Sequence, residues 1–168
     1  PAICVEAAAM ILCLACGYRI HSSVKSLPAG IGSLGIPTFR NLTPQYRLEQ
    51  RITAAVLKEF SIRTRMPVSS RSTDVDVVLV GEIRNAISSP VTFGTDTFGS
   101  AFLVTVQVSV KLVRVKDSTV LWENNDFLFR ERYVLPSRVH DFFSEEGPAL
   151  ERLSREFAAS LASTVLSR

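Results

Sequence analysis

The sequence predicts an α+β fold, a two-layer sandwich in which two helices pack on one face of a four-stranded mixed β-sheet. Residues 104–112 alternate strictly between apolar and polar side chains, as in a strand with one buried face. Residues 46–63 and 144–165 instead repeat apolar side chains at helical spacing along one side. Because an apolar sheet face and two apolar helix stripes bury one another, these segments form two layers.

The first part of the domain predicts one strand followed by one helix. Residues 34–39 form the strand, and Pro37 favours an edge position or a bulge because proline lacks a backbone N–H donor. Thr43 is the predicted N-cap of the helix, with Pro44 in its first turn. The stripe expected to face the sheet consists of Leu48, Ile52, Val56 and Phe60.

The middle of the chain predicts a meander of three strands. Residues 76–83 are almost continuously apolar, as in a central strand, and this strand can extend to Phe93 with a break near Ser89 and Pro90. The turn-rich residues 94–99 then connect it to the next strand as a hairpin.

The second and third strands of this meander are predicted at residues 102–116 and 120–133, with a tight turn between them. The apolar phase shifts by one residue after Leu112, and a β-bulge near Leu112 and Val113 explains that shift. In the last strand one face is predicted to be aromatic, with Phe127, Phe129 and Tyr133.

The final segment predicts the second helix, with Ser144 as its N-cap and Glu145 and Glu146 at the positive end of the helix dipole. The predicted order is therefore strand, helix, three strands, helix. The first helix connects two parallel strands as a crossover. The stripe of the last helix consists of Leu150, Leu153, Phe157, Leu161 and Val165.

The N-terminal segment predicts a secretory signal with a lipid attachment site. The apolar run at residues 7–15 is too short to cross a bilayer, and it ends at Cys16 in a pattern typical of a bacterial lipoprotein cleavage site. We expect residues 1–15 to be the remnant of a signal peptide, residues 16–26 to be a lipid-anchored tether and residues 27–168 to be a single domain. The alternatives are a buried apolar helix, or a redox or metal site at Cys13 and Cys16.

Composition argues against several other classes of protein. The formal net charge is +3 and no Lys- or Arg-rich run occurs, so nucleic acid is not an expected partner. Residues 30–35 match a dinucleotide-binding fingerprint, but these glycines precede a strand instead of opening a helix, so no cofactor is expected. No metal site is expected either. A hydrolase using His140 and Asp141 is an alternative that lacks a recognisable nucleophile motif.

Two surfaces are candidates for function. The predicted hairpin turn, the link at residues 135–143 and the cap at residues 41–44 share one end of the sandwich, called the upper end here. Cations beside aromatic rings at that end suit an anionic amphiphile or are ordinary solvated loop residues. The second candidate is the polar sheet face that contains Lys111. The candidate contact residues are Arg40, Phe93, Phe98, Arg138, His140 and Lys111.

The chain also resembles the LPS-assembly lipoprotein (LptE) family over nearly all of the predicted mature region. The resemblance depends on the order and spacing of short segments, together with the acidic start of the last helix. The segments are residues 16–18, 27–31, 36–43, 48–50, 58–60, 80–81 and 120–124.

This resemblance implies a non-enzymatic outer-membrane lipoprotein, facing the periplasm and acylated at Cys16. It implies that the chain forms a heterodimer with the barrel that inserts lipopolysaccharide, helps that barrel to assemble and contacts lipopolysaccharide. Arg138 is the residue that matches the basic lipid contacts of the family. An anchored subunit of another envelope secretion or flagellar apparatus is the alternative.

Overall fold

A computed structural model describes residues 30–93, 99–134 and 146–167. Within them, six strands form one mixed sheet in the order β3-β1-β4-β5-β6, with β2 beside β4. The strands are β1 (Leu34–Gly35), β2 (Arg40–Asn41), β3 (Val68–Ser69), β4 (Val77–Phe93), β5 (Gly99–Arg114) and β6 (Val120–Val134). The helices are α1 (Leu48–Arg63) and α2 (Glu146–Leu166). The predicted α+β class and the predicted helix positions are confirmed.

The predicted number of strands is wrong. The expected strand at residues 34–39 is two short strands, β1 and β2, separated by a segment that contains Pro37. In addition, β3 occupies a segment where no strand was expected, and it pairs with β1 in parallel. Strands of two residues are too short to show any periodicity, so no alternation marks them. The predicted crossover is confirmed, because β1 pairs with β4 in parallel.

The start of α1 also differs from the prediction. The residue before the helix is Arg47, in the left-handed conformation with φ 59° and without a side-chain cap. Thr43 instead donates its backbone N–H and its hydroxyl to the side-chain oxygen of Asn41. The Asn41 amide donates in turn to Gln45 O and Glu49 Oε2, each at 2.9 Å. Asn41 therefore fixes the approach to the helix that Thr43 was expected to cap.

Single extra residues interrupt the long antiparallel strands. In β4, Arg84 and Val91 have no partner in β5, and the second of these irregularities follows the predicted break at Pro90. The irregularity predicted at Leu112 and Val113 is present, but the extra residue is Leu121 of β6. A second bulge in β6 sets Asn125 and Asp126 against Ser109 of β5. Both bulges of this last pair of strands thus lie in β6, the edge strand.

The core lies between one sheet face and the two helices, which run side by side in the same direction. Phe157 of α2 lies at its centre and presents its ring edge-on to Phe39, Phe127 and Phe129, with centroids 6.3, 6.0 and 5.2 Å away. Every buried side-chain nitrogen or oxygen in the described residues has a hydrogen-bond partner. The inner row of β5, which is buried in the same core as the helix stripes, consists of Val104, Val106, Val108, Val110 and Leu112.

The ring of Phe39 packs flat against the backbone of β4 at Gly81. A β-carbon added at Gly81 would lie 2.2 Å from two carbons of that ring. Phe39 is itself 2% exposed and packs against Phe157, so it has little room to move.

We therefore expect Gly81→Ala to destabilise the fold by about 1–3 kcal/mol, the usual cost of overpacking a core. The measurement is the free energy of unfolding in urea. The matched control is Gly147→Ala, in the first turn of α2, where the nearest atom to an added β-carbon is 3.8 Å away. Equal unfolding midpoints for wild type and Gly81→Ala would contradict this account of the contact.

Asp76 joins the beginning of β4 to the residues before β1. Its carboxylate accepts the backbone N–H of Gly32 at 2.8 Å and the hydroxyl of Ser33 at 3.0 Å. These hydrogen bonds, the Gly32 one foremost, hold the pKa of the Asp76 carboxyl below its ordinary value of 3.8.

A carboxyl with a lowered pKa stabilises the fold above its unfolded-state pKa, and this contribution is lost as the pH falls through the folded-state value. We expect Asp76→Asn to be less stable than wild type at neutral pH. We expect the difference to shrink as the pH falls below 3.8 and to disappear at lower pH. Urea midpoints measured from pH 7 to pH 2 test this. The control is Asp74→Asn, at an exposed residue with φ 59° that Asn also tolerates. A deficit in Asp76→Asn that does not change with pH would rule out the charged hydrogen bonds as its cause.

Candidate functional site

The sheet face opposite the helices is uncovered by any described segment, and we call it the open face. Its side chains belong to β4, β5 and β6, where they alternate with the buried row. Directly opposed residues form rows across the three strands. From the lower to the upper end, four of these rows are Val80–Lys111–Glu123, Asn85–Gln107–Leu128, Ile87–Thr105–Arg130 and Ser89–Leu103–Arg132.

The lower half of the open face is a polar network between β5 and β6. Lys111 forms an ion pair with Glu123 at 3.2 Å, and Glu123 also accepts the side-chain amide of Asn125. Ser109 is only 4% exposed, although it faces away from the helices. The β6 bulge brings two side chains onto this face, and both bond to β5. These bonds run from Ser109 Oγ to Asn125 Oδ1 (2.9 Å) and from Gln107 Nε2 to Asp126 Oδ1 (2.7 Å).

The upper half of the open face combines exposed aliphatic side chains with cations. We call Ile87, Leu103, Leu128, Arg130 and Arg132 the upper patch. Ile87 is 51% exposed and Leu128 is 45% exposed, on a strand face where a solvated protein normally places polar residues. Arg130 and Arg132 are also exposed, and neither has an ion-pair partner among the described residues. The upper patch therefore offers apolar area and unpaired positive charge together.

The helix-side face at the same end is closed by contacts between side chains. Tyr133 stacks on Phe102 with ring centroids 5.5 Å apart, and its hydroxyl lies 3.0 Å from Ser88 Oγ. Below it, Glu131 accepts a 2.6 Å hydrogen bond from Arg152 of α2. These contacts fix the upper part of β6 against its neighbours, so the open face there is built on a rigid strand.

Arg40 and Lys111 both lie on the open face, but not at the hairpin tip. Arg40 pairs in register with Glu82 of β4, and its guanidinium lies 3.7 Å from the Glu82 carboxylate, which Arg84 also contacts at 3.4 Å. The strand continues to Phe93, roughly 35 Å further at about 3.3 Å per residue. The expectation that the cap at residues 41–44 shares one end with the hairpin tip is therefore wrong, because β4 extends far beyond the parallel strands.

The other predicted site residues are not placed by the structure. Cys16, Phe98, Arg138 and His140 lie outside the described residues, as do Asp141 and the predicted N-cap Ser144. Phe93 is described in its backbone alone, where it pairs with Gly99. The roles expected of these residues stay predictions.

Sequence reasoning missed most of the upper patch. A signal was nevertheless present: the prediction that Phe127, Phe129 and Tyr133 share one face of the strand assigns Leu128, Arg130 and Arg132 to the other face. In β4 the bulge at Arg84 changes the parity of the later residues, so alternation counted from Val77 would have placed Ile87 on the helix side.

Other features in the described part of the chain do not form a second site. Gly35 packs closely against the backbone at Arg71, since an added β-carbon would lie 2.2 Å from Arg71 O. This contact explains one of the glycines at residues 30–35. A shallow groove between the helix N-termini contains three arginines, but Arg51 already contacts Glu151 and Arg152 already contacts Glu131. The described residues include no cluster of three potential metal ligands and no helix long and apolar enough to span a bilayer.

Comparison with known proteins gives structural but not sequence relatives. No family model matches the chain, and no curated protein sequence matches it. A lipoprotein candidate from Caulobacter crescentus is similar with a TM-score of 0.54 at 9% identity, over 77% of this chain and 89% of that one.

Two further solved structures show the same likeness. An uncharacterized lipoprotein B from Nitrosomonas europaea has a TM-score of 0.53 at 11% identity, over 88% of this chain and 92% of that one. The PelC dodecamer from Paraburkholderia phytofirmans has a TM-score of 0.53 at 14% identity, over 85% of this chain and 94% of that one. At these identities the likeness is one of fold: this chain has an α+β fold that several bacterial proteins share, lipoproteins among them.

Proposed function

We propose that this chain is a non-enzymatic lipoprotein of the outer membrane, and that it assists the barrel that inserts lipopolysaccharide. The observation that carries the proposal is the open face, with Val80, Ile87 and Leu128 each about half exposed. Exposed aliphatic side chains on a rigid sheet are typical of a surface that docks on another protein. The resemblance to the LPS-assembly lipoproteins supplies the barrel as the partner.

In this proposal the sheet provides area and the loops provide contacts with lipid. A surface of this kind binds through complementary shape and through the burial of apolar area. It requires neither a catalytic group nor a cofactor. Lipopolysaccharide is an anionic amphiphile, and the residue that the family resemblance assigns to it is Arg138. The described cations on the open face, which this proposal turns toward the barrel, include Arg40, Lys111, Arg130 and Arg132.

The anchor at Cys16 holds the domain at the membrane. Each buried methylene of an acyl chain contributes about 0.8 kcal/mol, so several chains give stable residence. The lipoproteins among the structural neighbours support this part of the proposal.

We expect Cys16→Ala to move the full chain from the membrane fraction to the soluble fraction of lysed cells. The matched control is Cys13→Ala, three residues earlier, which should stay with the membranes. Ultracentrifugation followed by detection of the chain in pellet and supernatant is the measurement. If Cys16→Ala stays in the pellet, acylation at Cys16 is not the anchor.

We expect Ile87→Glu to abolish most of the association with the barrel, since the change places a charge in a surface that loses its water on docking. The measurement is co-purification of the full chain with the co-expressed barrel in detergent, with barrel and lipopolysaccharide both quantified. Recovery of both should fall roughly tenfold, the equivalent of about 1.4 kcal/mol.

The control is Val115→Glu, at a residue 45% exposed in the turn after β5, away from the upper patch. Val115→Glu should recover as much barrel as wild type. If wild type recovers no barrel, or if Ile87→Glu recovers as much as wild type, docking through the open face is wrong.

A second candidate is a subunit of a multi-copy envelope secretion complex. The specific observation in its favour is the likeness to PelC, a protein solved as a dodecamer. The mass of the purified complex separates the two candidates. Equal numbers of this chain and of the barrel support the first, and many copies of this chain without a barrel support the second.

A further inference from the structure

The edge strand β6 has a self-complementary charge pattern. No described strand pairs with its outer edge, since β6 is the last strand of the sheet. Along its open face, acidic residues lie below Leu128 and basic residues lie above it. The sequence of charges is Glu123, Asp126, then Arg130, Arg132.

The bulge makes the two halves symmetric about Leu128. Above Leu128, open-face positions follow every second residue and bear Arg130 and then Arg132. Below it, the first position bears Asp126, and the extra residue of the bulge makes Glu123, not Asn124, the next open-face residue. The two acidic residues below Leu128 therefore have the same spacing along the open face as the two arginines above it.

We propose that two copies of this chain pair antiparallel along β6, with a two-fold axis at Leu128. In this register Asp126 of one copy lies opposite Arg130 of the other, and Glu123 lies opposite Arg132. Directly opposed residues have β-carbons about 4.5–5.5 Å apart, so the arginines acquire ion-pair partners, which they lack among the described residues of one chain.

The charges favour this register over its neighbours. Moving the axis to Phe129 leaves Asp126 opposite Arg132 but sets Arg130 against Leu128, so fewer opposite charges meet. Moving the axis to Arg130 sets that arginine against itself, and moving it to Glu131 sets Arg130 against Arg132, both of which are repulsive. A two-fold pairing of this kind also closes after two copies, because the interface uses the same edge of each.

Edge pairing continues the sheet without covering either face. The contact with the barrel proposed above uses Ile87 of β4, two strands away from the β6 edge. The two proposals can therefore fail separately: Ile87→Glu should still dimerise, and variants of β6 that stay monomeric still present Ile87.

The test measures the oligomeric state of the full chain by sedimentation in detergent. Wild type should form a dimer. The double variant Arg130→Glu with Arg132→Glu should raise the dissociation constant of the dimer at least tenfold, and so should Glu123→Lys with Asp126→Lys. A mixture of the two double variants should recover a dimer, because each supplies the charges that the other has lost. The control, Lys58→Glu with Arg65→Glu, changes the same charge at exposed residues of α1 and the following turn, and should dimerise as wild type does.

A cross-link locates the axis. Leu128→Cys should form a disulfide-linked dimer, since opposed residues across such a pair lie within disulfide reach. Ile87→Cys, on the same face, should give no more cross-linked dimer than wild type with its own cysteines. A monomeric wild type would overturn the proposal, as would a dimer that survives the charge reversals. A Leu128→Cys cross-link to a different protein in the envelope would show that the β6 edge takes a foreign strand, and it would overturn pairing between copies.

Discussion

The burial of the inner row of β5 in one core with the two helix stripes is the interaction on which the rest of the structure depends. β5 pairs along nearly its whole length with β4 on one side and β6 on the other, so it alone connects the two halves of the long antiparallel sheet. Its inner valines are almost fully buried, and each buried side chain of that size contributes about 1.5–3 kcal/mol. Because its side chains alternate with period two, burying one row commits the other to the open face.

The division of the open face into a polar and an apolar half follows from the bulge in β6. The two bulged residues, Asn125 and Asp126, both reach β5 from the same side, and with Lys111 they satisfy the polar groups of the lower half. Above the bulge β5 and β6 pair regularly, and the described residues there form no such network. The upper half therefore has exposed aliphatic residues and arginines without an ion-pair partner in the described part of the chain, and these are the features that favour a partner.

The fold class was predictable because its determinants are long and periodic. The alternation at residues 104–112 and the stripes of the two helices each extend over several repeats, and the structure has all three where they were expected. The two-residue strands were not predictable, because pairing of so short a segment depends on a neighbour elsewhere in the chain. The start of α1 was missed for a related reason. Thr43 has the chemistry of a cap and its hydroxyl accepts the backbone N–H of Gln45, but that residue lies in a turn held by Asn41, and the helix begins only after Arg47.

The candidate site was harder to predict than the fold, because it depends on where the extra residues fall. A bulge reverses the parity of everything beyond it, and no local pattern around Arg84 or Asn125 indicates one. Lys111 could be placed on the open face because β5 has no such interruption between Val104 and Leu112. Ile87 lies beyond a bulge in β4, so its exposure appears only once the pairing with Thr105 is known.

The same bulges explain how an edge as long as β6 can be kept in a folded protein. An unpaired edge invites pairing with any other chain, and bulges and charges are the usual means of limiting it. In β6 the bulge and the charges are arranged so that a two-fold axis at Leu128 opposes an acidic to a basic residue at each charged open-face position. An axis at Arg130 or Glu131 instead opposes arginines to one another. Selectivity of this kind is a difference in binding free energy between registers. It therefore requires that the wrong registers be less stable. An edge that merely avoided partners would need charge of one sign only, whereas the open face of β6 has both signs, segregated on either side of Leu128.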